Sequence, residues 1–260
     1  MGLSFEALNE DTTLAGAHAL VTGAGRGIGR ACAEALAARG ASVTLSARSQ
    51  GELEEVAAGI ESAGGRAFAH PVDVNDPDSV AGMVAAANEH GELAILVNSA
   101  GLNRPGPTLE MELADWDLVI DTNLRGTFLV SQAVGRVILD AGRKGRIINI
   151  SSQMGSVGYP GRAAYCASKH AVNGLTKALG VEWASQGITV NAVAPTFIET
   201  PMTKPMFDDP EFRDDVLSRI PAGRIGSVND VSSAVTFLAS RGAGLITGHI
   251  MLVDGGWVAW

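Results

Sequence analysis

Thr22-Gly23-Ala24-Gly25-Arg26-Gly27-Ile28-Gly29 is the stretch on which the reading of this chain turns. It follows the apolar run 17–22 and leads directly into an amphipathic stretch at 29–39. Strand, glycine-rich turn and helix in that order open a βαβ unit. Gly23 supplies a turn conformation closed to other residues, and Gly27 lets the backbone approach a pyrophosphate. Gly29 lets the helix pack tightly on the strand. The helix N-terminus then offers free N–H groups and partial positive charge to phosphates. An ordinary tight turn is the plainer alternative, but the position between first strand and first helix favours a nucleotide.

Outward from this turn the alternation repeats. Apolar strand signals lie at 43–46, 66–71, 93–97, 146–150, 189–194 and 250–253. Helical spacing marks 52–62, 80–89, 112–120, 124–139, 163–185 and 228–240. The strands are continuous apolar runs, so both faces of their sheet are expected to be covered. Strands alternating with helices predict an α/β fold with a parallel sheet and right-handed crossovers. Its ligand belongs beyond the carboxyl ends of the strands, where the strand order reverses. No Ser/Pro-rich linker, charge block or repeat divides the chain. The expected division is an N-terminal arm at 1–13 and a single dinucleotide-binding catalytic domain at 14–260.

Composition agrees. Hydrophobic residues make up 46% of the 260, enough for a large core. The 32 glycines exceed the roughly 7% average share without a repeat, which excludes collagen and indicates many turns. A net charge of −9 argues against a general nucleic-acid or anionic-membrane binder. Cys32 and Cys166 lie far apart in helical stretches, which suits unpaired thiols in a reducing compartment. Residues 1–13 carry acids and polar groups where a secretory leader needs a basic end and an apolar run. No apolar stretch has the length of a membrane span. A cytoplasmic protein is expected.

The second strand ends in Ala47-Arg48, where a carboxylate would select NAD by accepting from the ribose hydroxyls. Arg48, with Arg26, is suited instead to a 2′-phosphate, which favours NADP. Two solvated surface arginines are the alternative. Asp73-Val74 at the end of the third strand is placed to flank the adenine, or Asp73 to serve as a turn residue.

Tyr165-Cys166-Ala167-Ser168-Lys169 lies on the long helical stretch. Its i,i+4 spacing sets phenol and ammonium on one face, about 6 Å apart along the axis. A free phenol has a pKa near ~10, and lowering it by about three units requires on the order of 4 kcal/mol. Lys169 is expected to supply much of that, the positive ring of a bound cofactor adding to it. Ser151 and Ser152, at the end of the fifth strand, compete to hold the substrate oxygen.

These motifs together resemble the short-chain dehydrogenase/reductase family over nearly all of 14–260. The family's TGxxxGxG turn stands at Thr22 to Gly29, its NNAG as Asn98-Ser99-Ala100-Gly101, and its catalytic Asn as Asn123. The serine thirteen residues before the tyrosine is Ser152, and Tyr165 and Lys169 complete a tetrad. The resemblance implies a single-domain Rossmann fold with a doubly wound, mostly parallel seven-stranded sheet. It implies hydride transfer between NAD(P) and a carbonyl or alcohol without a metal. Tyr165 would be the general acid/base, Ser152 would orient the carbonyl, and Lys169 would lower the tyrosine pKa and bind the nicotinamide ribose. Asn123 would hold a water in a proton relay. Asn98, Ala100 and Gly101 would line the cofactor, with Pro195, Ile198 and Thr200 at the carboxamide end, and a homotetramer is implied. Two positions depart from the pattern: Ser99 replaces the second Asn, and Thr196 replaces the glycine usual after Pro195.

The stretch 196–215, rich in Pro, Met, Phe and acids, reads as a substrate lid, with a plain surface loop as the alternative. Gln153, Met154, Tyr159, Asn103 and Arg104 are candidates for the pocket, Arg104 or Gln153 for the polar end of a substrate. Several segments resemble sugar-acid and polyol dehydrogenases of the family, including the gluconate 5-dehydrogenase group. The rival substrate is a 3-oxoacyl-carrier-protein thioester. A rival of another class is a nucleotide-sensing regulator without turnover, against which the intact tetrad speaks.

Overall fold

The computed structural model describes residues 12–259, so most of the expected N-terminal arm lies outside the described residues. Seven strands, all parallel, form one sheet: β1 His18–Thr22, β2 Ser42–Ala47, β3 Arg66–Pro71, β4 Leu93–Asn98, β5 Gly145–Ile150, β6 Ile188–Pro195 and β7 Ile250–Val253. Their order is β3-β2-β1-β4-β5-β6-β7. The eight α-helices among the described residues are α1 Gly27–Ala38, α2 Gln50–Ser62, α3 Pro77–His90, α4 Leu113–Ile120, α5 Gly126–Asp140, α6 Ala163–Trp183, α7 Pro210–Ser218 and α8 Val228–Ala239.

Successive strand residues alternate between the two faces and feed separate cores, because side chains along a strand point to opposite sides. Ala19, Val21, Ile148 and Val193 pack under Cys32 and Leu36 of α1, Val56 of α2, and Val235 of α8. Leu20, Leu96, Ile147 and Val190 meet Met83 of α3, Val134 of α5, and Trp183 of α6. Every residue of β6 is buried, as the unalternating apolar runs predicted. The edge strand β7 has no buried residue.

Two helical segments differ from the sequence expectation. Helices α4 and α5, predicted as separate pieces, run into each other through a π-helical turn, Asp121–Arg125, that holds Asn123. A local extra residue inside a helix is invisible to 3.6-residue periodicity. The expected lid at 196–215 also contains structure of its own. A short 3-10 turn, Lys204–Met206, precedes α7, which starts with Asp209 accepting from the Glu211 N–H and with Pro210 in its first turn. Helix α7 is short and mostly exposed, so its apolar stripe is weak. Val216 anchors it to a third cluster with Met154, Phe197 and Ile220.

The first turn is as tight as its glycines imply. Gly23 sits at φ +67 and Gly27 at φ +57. A Cβ on Gly29 would overlap the Gly23 carbonyl oxygen, a backbone atom that cannot move aside. Gly29→Ala is therefore expected to destabilise the protein by about 1–3 kcal/mol or more, read as a lower urea midpoint. Gly59→Ala, on the open face of α2 with nothing within 4 Å, should instead gain up to about 1 kcal/mol from helix propensity. Equal effects at both sites would contradict this account of the turn.

Candidate active site

Between β1 and β4 the strand order reverses, and the loops leaving those strands diverge to open a cleft of about 720 Å³. Thr22 Oγ1 holds the divide by accepting from the N–H groups of Ser99 (3.1 Å) and Ala100 (3.2 Å). The second NNAG position thus acts through its main chain, so serine serves there.

One end of the cleft is suited to a dinucleotide. Gly23, Gly25, Arg26, Gly27, Ile28 and Gly29 all line it. Helix α1 begins there with no side-chain cap and no acid in its first turn, which leaves its N-terminal N–H groups available to an anion. Arg48 lines the rim, exposed and without a carboxylate partner among the described residues. Arg26 makes only a long, exposed ion pair of 3.9 Å with Glu52, worth little. Glu52 itself lines the cleft and escaped the sequence reading, since it looks like an ordinary helix-start acid. Asp73 combines both of its sequence alternatives: it lines the cleft with Val74, and its Oδ1 accepts from the Asn75 N–H at 2.9 Å.

At the other end the structure brings Ser152, Tyr165 and Lys169 to one wall. Lys169 is 5% exposed, lies 5.5 Å from the centre of the Tyr165 ring, and donates to the Ile150 carbonyl at 2.8 Å. Ser152 Oγ accepts from the Met154 N–H at 3.1 Å. Ser151, its competitor, is committed to structure: its hydroxyl donates to Asn173 Oδ1 at 2.6 Å.

Burial governs the electrostatics of this wall. It lowers the Lys169 ammonium to about 8. It also raises the Tyr165 phenol to about 12, against a hydrogen bond with Ser152 and the nearby Arg162 cation, which both favour the phenolate. The phenolate expected from Lys169 together with the positive ring of a bound cofactor has this desolvation to overcome.

Comparison with known proteins agrees with this geometry. A family model described as enoyl-(acyl carrier protein) reductase matches residues 23–258. Gluconate 5-dehydrogenase of Gluconobacter oxydans strain 621H is 41% identical over 245 residues, covering 94% of this chain and 95% of its own. The 3-oxoacyl-[acyl-carrier-protein] reductase of Escherichia coli K12 is 44% identical over 242 residues, covering 93% and 97%. A solved structure of gluconate 5-dehydrogenase from Burkholderia cenocepacia J2315, in complex with NADP and tartrate, superposes with a TM-score of 0.93. It is 36% identical, and the match covers 97% of this chain and 99% of that one. The chain belongs to the short-chain dehydrogenase/reductase family.

It is accordingly an oxidoreductase of that family. Four of the expected residues do not line the cleft, Asn98 and Asn123 from the family pattern and Arg104 and Tyr159 from their sequence position. Asn98 is buried behind it, its amide donating to Ser131 Oγ and Asn149 Oδ1 at 2.9 Å each. Asn123 is 1% exposed; its amide donates to the Leu102 carbonyl (2.9 Å) and Ser168 Oγ (3.1 Å), and its Oδ1 accepts from the Leu102 N–H (2.8 Å). Both N–H donors being used, this side chain pins the loop after β4. Arg104 pairs outward with Asp115 at 3.1 Å, both half-exposed. Tyr159 turns its hydroxyl to Asp215 and its ring to Phe197 and Trp257, and so braces the segment 196–215. Each of these carries a polar group that a protein partner satisfied first. Ala100, Gly101, Gln153, Met154, Pro195, Ile198 and Thr200 do line the cleft. Arg162 lines it too, unanticipated because it falls between two recognised motifs.

With two tyrosines in the chain, Tyr159→Phe isolates the Tyr165 titration. In that variant, absorbance at 295 nm should show no phenol ionising below about pH 10 in nucleotide-free protein, in line with a pKa near 12. Saturating oxidised nucleotide should bring the ionisation to lower pH. An ionisation near neutrality without nucleotide would contradict the dominance of burial.

Proposed function

We propose that this protein is an NADP-dependent dehydrogenase acting on a small, polar hydroxy or keto acid of the sugar-acid class. The reading rests on one juxtaposition: Ser152, Tyr165 and Lys169 share a cleft with the uncapped N-terminus of α1. The α1 N-terminus would hold the pyrophosphate and Arg48 the 2′-phosphate, with Asp73 and Val74 beside the adenine. Lys169 would hold the nicotinamide ribose, and Pro195, Ile198 and Thr200 the carboxamide end. The bound nicotinamide supplies or accepts the hydride. Ser152 Oγ holds the substrate oxygen, and Tyr165 Oη gives or takes its proton. Lys169, buried beside the ring, keeps positive charge near the developing phenolate. The lid, 196–215, places Phe197, Met202 and Met206 on the cleft, apolar groups that would exclude water on closure.

The gluconate 5-dehydrogenase relatives, and the NADP and tartrate bound in one of them, support both cofactor and substrate class. The absence of a carboxylate at position 48 supports NADP, while Glu52 beside Arg26 works against it. A homotetramer is part of the proposal. Apolar side chains are exposed on opposite faces of the sheet, Leu113, Trp116 and Phe128 on α4 and α5 and Phe237 on α8, with Leu252 on the edge strand β7. A cytoplasmic location is proposed from two unpaired cysteines; no helix among the described residues is long and apolar enough to cross a membrane.

Absorbance at 340 nm tests the reaction. Turnover of gluconate-type acids with NADP is expected, and Tyr165→Phe should lower kcat by roughly 10²–10⁴-fold. Turnover confined to a 3-oxoacyl thioester would overturn the substrate class. Nucleotide binding without turnover of any alcohol or ketone would favour a sensor. Arg48→Ala should raise the KM for NADP about tenfold or more and leave that for NAD nearly unchanged. A parallel rise for both cofactors would remove Arg48 from the 2′-phosphate.

A further inference from the structure

Arg162 immediately precedes α6 and is 9% exposed, yet it lines the cleft beside Tyr165 and Ser152. Its side chain makes one hydrogen bond among the described residues, to the adjacent Gly161 carbonyl at 3.2 Å. No carboxylate pairs with it, whereas Arg26, Arg30, Arg104, Arg219 and Arg224 all have one. Its electrostatic neighbours are Tyr159, Cys166 and Tyr165. A buried guanidinium stays charged, and unlike Arg146, which backbone carbonyls hold away from this cleft, Arg162 presents that charge where an anion entering the cleft could pair with it.

A second observation points the same way. Gln153 is 1% exposed and lines the cleft, and neither its amide nitrogen nor its amide oxygen has a hydrogen-bond partner. Asn103 Oδ1 and Thr196 Oγ1 are likewise buried and unpartnered on the same cleft. Buried polar groups left unpaired are costly, and an acyl chain would satisfy none of these.

We propose that Arg162 and Gln153 form the subsite for the substrate's carboxylate, with Asn103 and Thr196 receiving hydroxyls further along a polyhydroxylated chain. This rests on the sugar-acid reading above and names the residues that enforce it. The guanidinium fork grips the carboxylate, and the Gln153 amide donates to the same group or to the hydroxyl next to it. Arg104, the arginine that sequence position suggested, has already found Asp115.

The probe is tartrate, a compact hydroxy-dicarboxylate, titrated calorimetrically into the NADP complex of wild type, Arg162→Gln, Arg162→Lys and Gln153→Leu. Loss of the fork should weaken tartrate about tenfold or more, Lys should restore part of it, and Gln153→Leu should weaken it several-fold. If Arg162→Gln fails to fold, the Lys and Leu variants still decide: wild-type affinity in both overturns the subsite. Turnover gives the second arm, as the ratio of kcat/KM for gluconate to that for its neutral alditol, sorbitol. That ratio should collapse about tenfold or more in Arg162→Gln. If instead both substrates lose equally and the pH profile of kcat moves upward, Arg162 serves Tyr165 alone and the proposal falls. Tartrate binding that depends on Arg162, without turnover of any sugar acid, would keep the anion subsite and remove only the sugar-acid reading.

Discussion

Everything chemical in this molecule is carried on the carboxyl ends of parallel strands, at the place where their order turns from β2-β1 to β4-β5. Loops leaving β1 and β4 must go to opposite sides there, because crossovers keep one hand. The gap between them is thus a consequence of topology, and Thr22 Oγ1 holds its two walls together with bonds to the Ser99 and Ala100 N–H groups. The glycine turn fills the near side and lets α1 start within reach of the gap. Two cores, one on each face of the sheet, keep the walls rigid.

Inside the cleft the dominant force is desolvation. It lowers the ammonium of Lys169 to about 8, which leaves it mostly charged at neutral pH, and raises the phenol of Tyr165, which keeps its proton. In the proposed reaction a positive nicotinamide ring beside the phenol would favour its ionised form and so tie proton transfer to cofactor occupancy. The same logic runs through Arg162 and Gln153, buried polar groups whose bonding capacity the protein leaves unused. Burial that destabilises a group in the free protein becomes selectivity when the matching ligand arrives.

Much of this was legible in the sequence, for identifiable reasons. Largely apolar runs without strict alternation, such as 189–194 and 146–150, reveal doubly covered strands, and the βα glycine turn has few other uses. Spacing alone set Tyr165 and Lys169 on one helical face. Side-chain direction after a loop was not legible. Arg104 and Tyr159 stand near the cleft in sequence but turn to Asp115 and Asp215, carboxylates that belong to none of the motifs. Asn98 and Asn123 carry amides that the interior claims, through Ser131 and Asn149 in one case and Leu102 and Ser168 in the other. Arg162 and Glu52 passed unnoticed because partnership, or its lack, is a property of the folded chain. The π turn at Asp121–Arg125 and helix α7 were hidden by broken or weak periodicity.

The most direct test is a crystal structure of the NADP complex. Its pyrophosphate should rest on the N–H groups at the start of α1, and its nicotinamide ribose should meet Lys169. The ring's reactive carbon should then lie about 3–4 Å from a carbonyl held by Ser152 and Tyr165. A nucleotide bound outside the β1–α1 turn, or a nicotinamide directed away from the Tyr165 wall, would contradict the account.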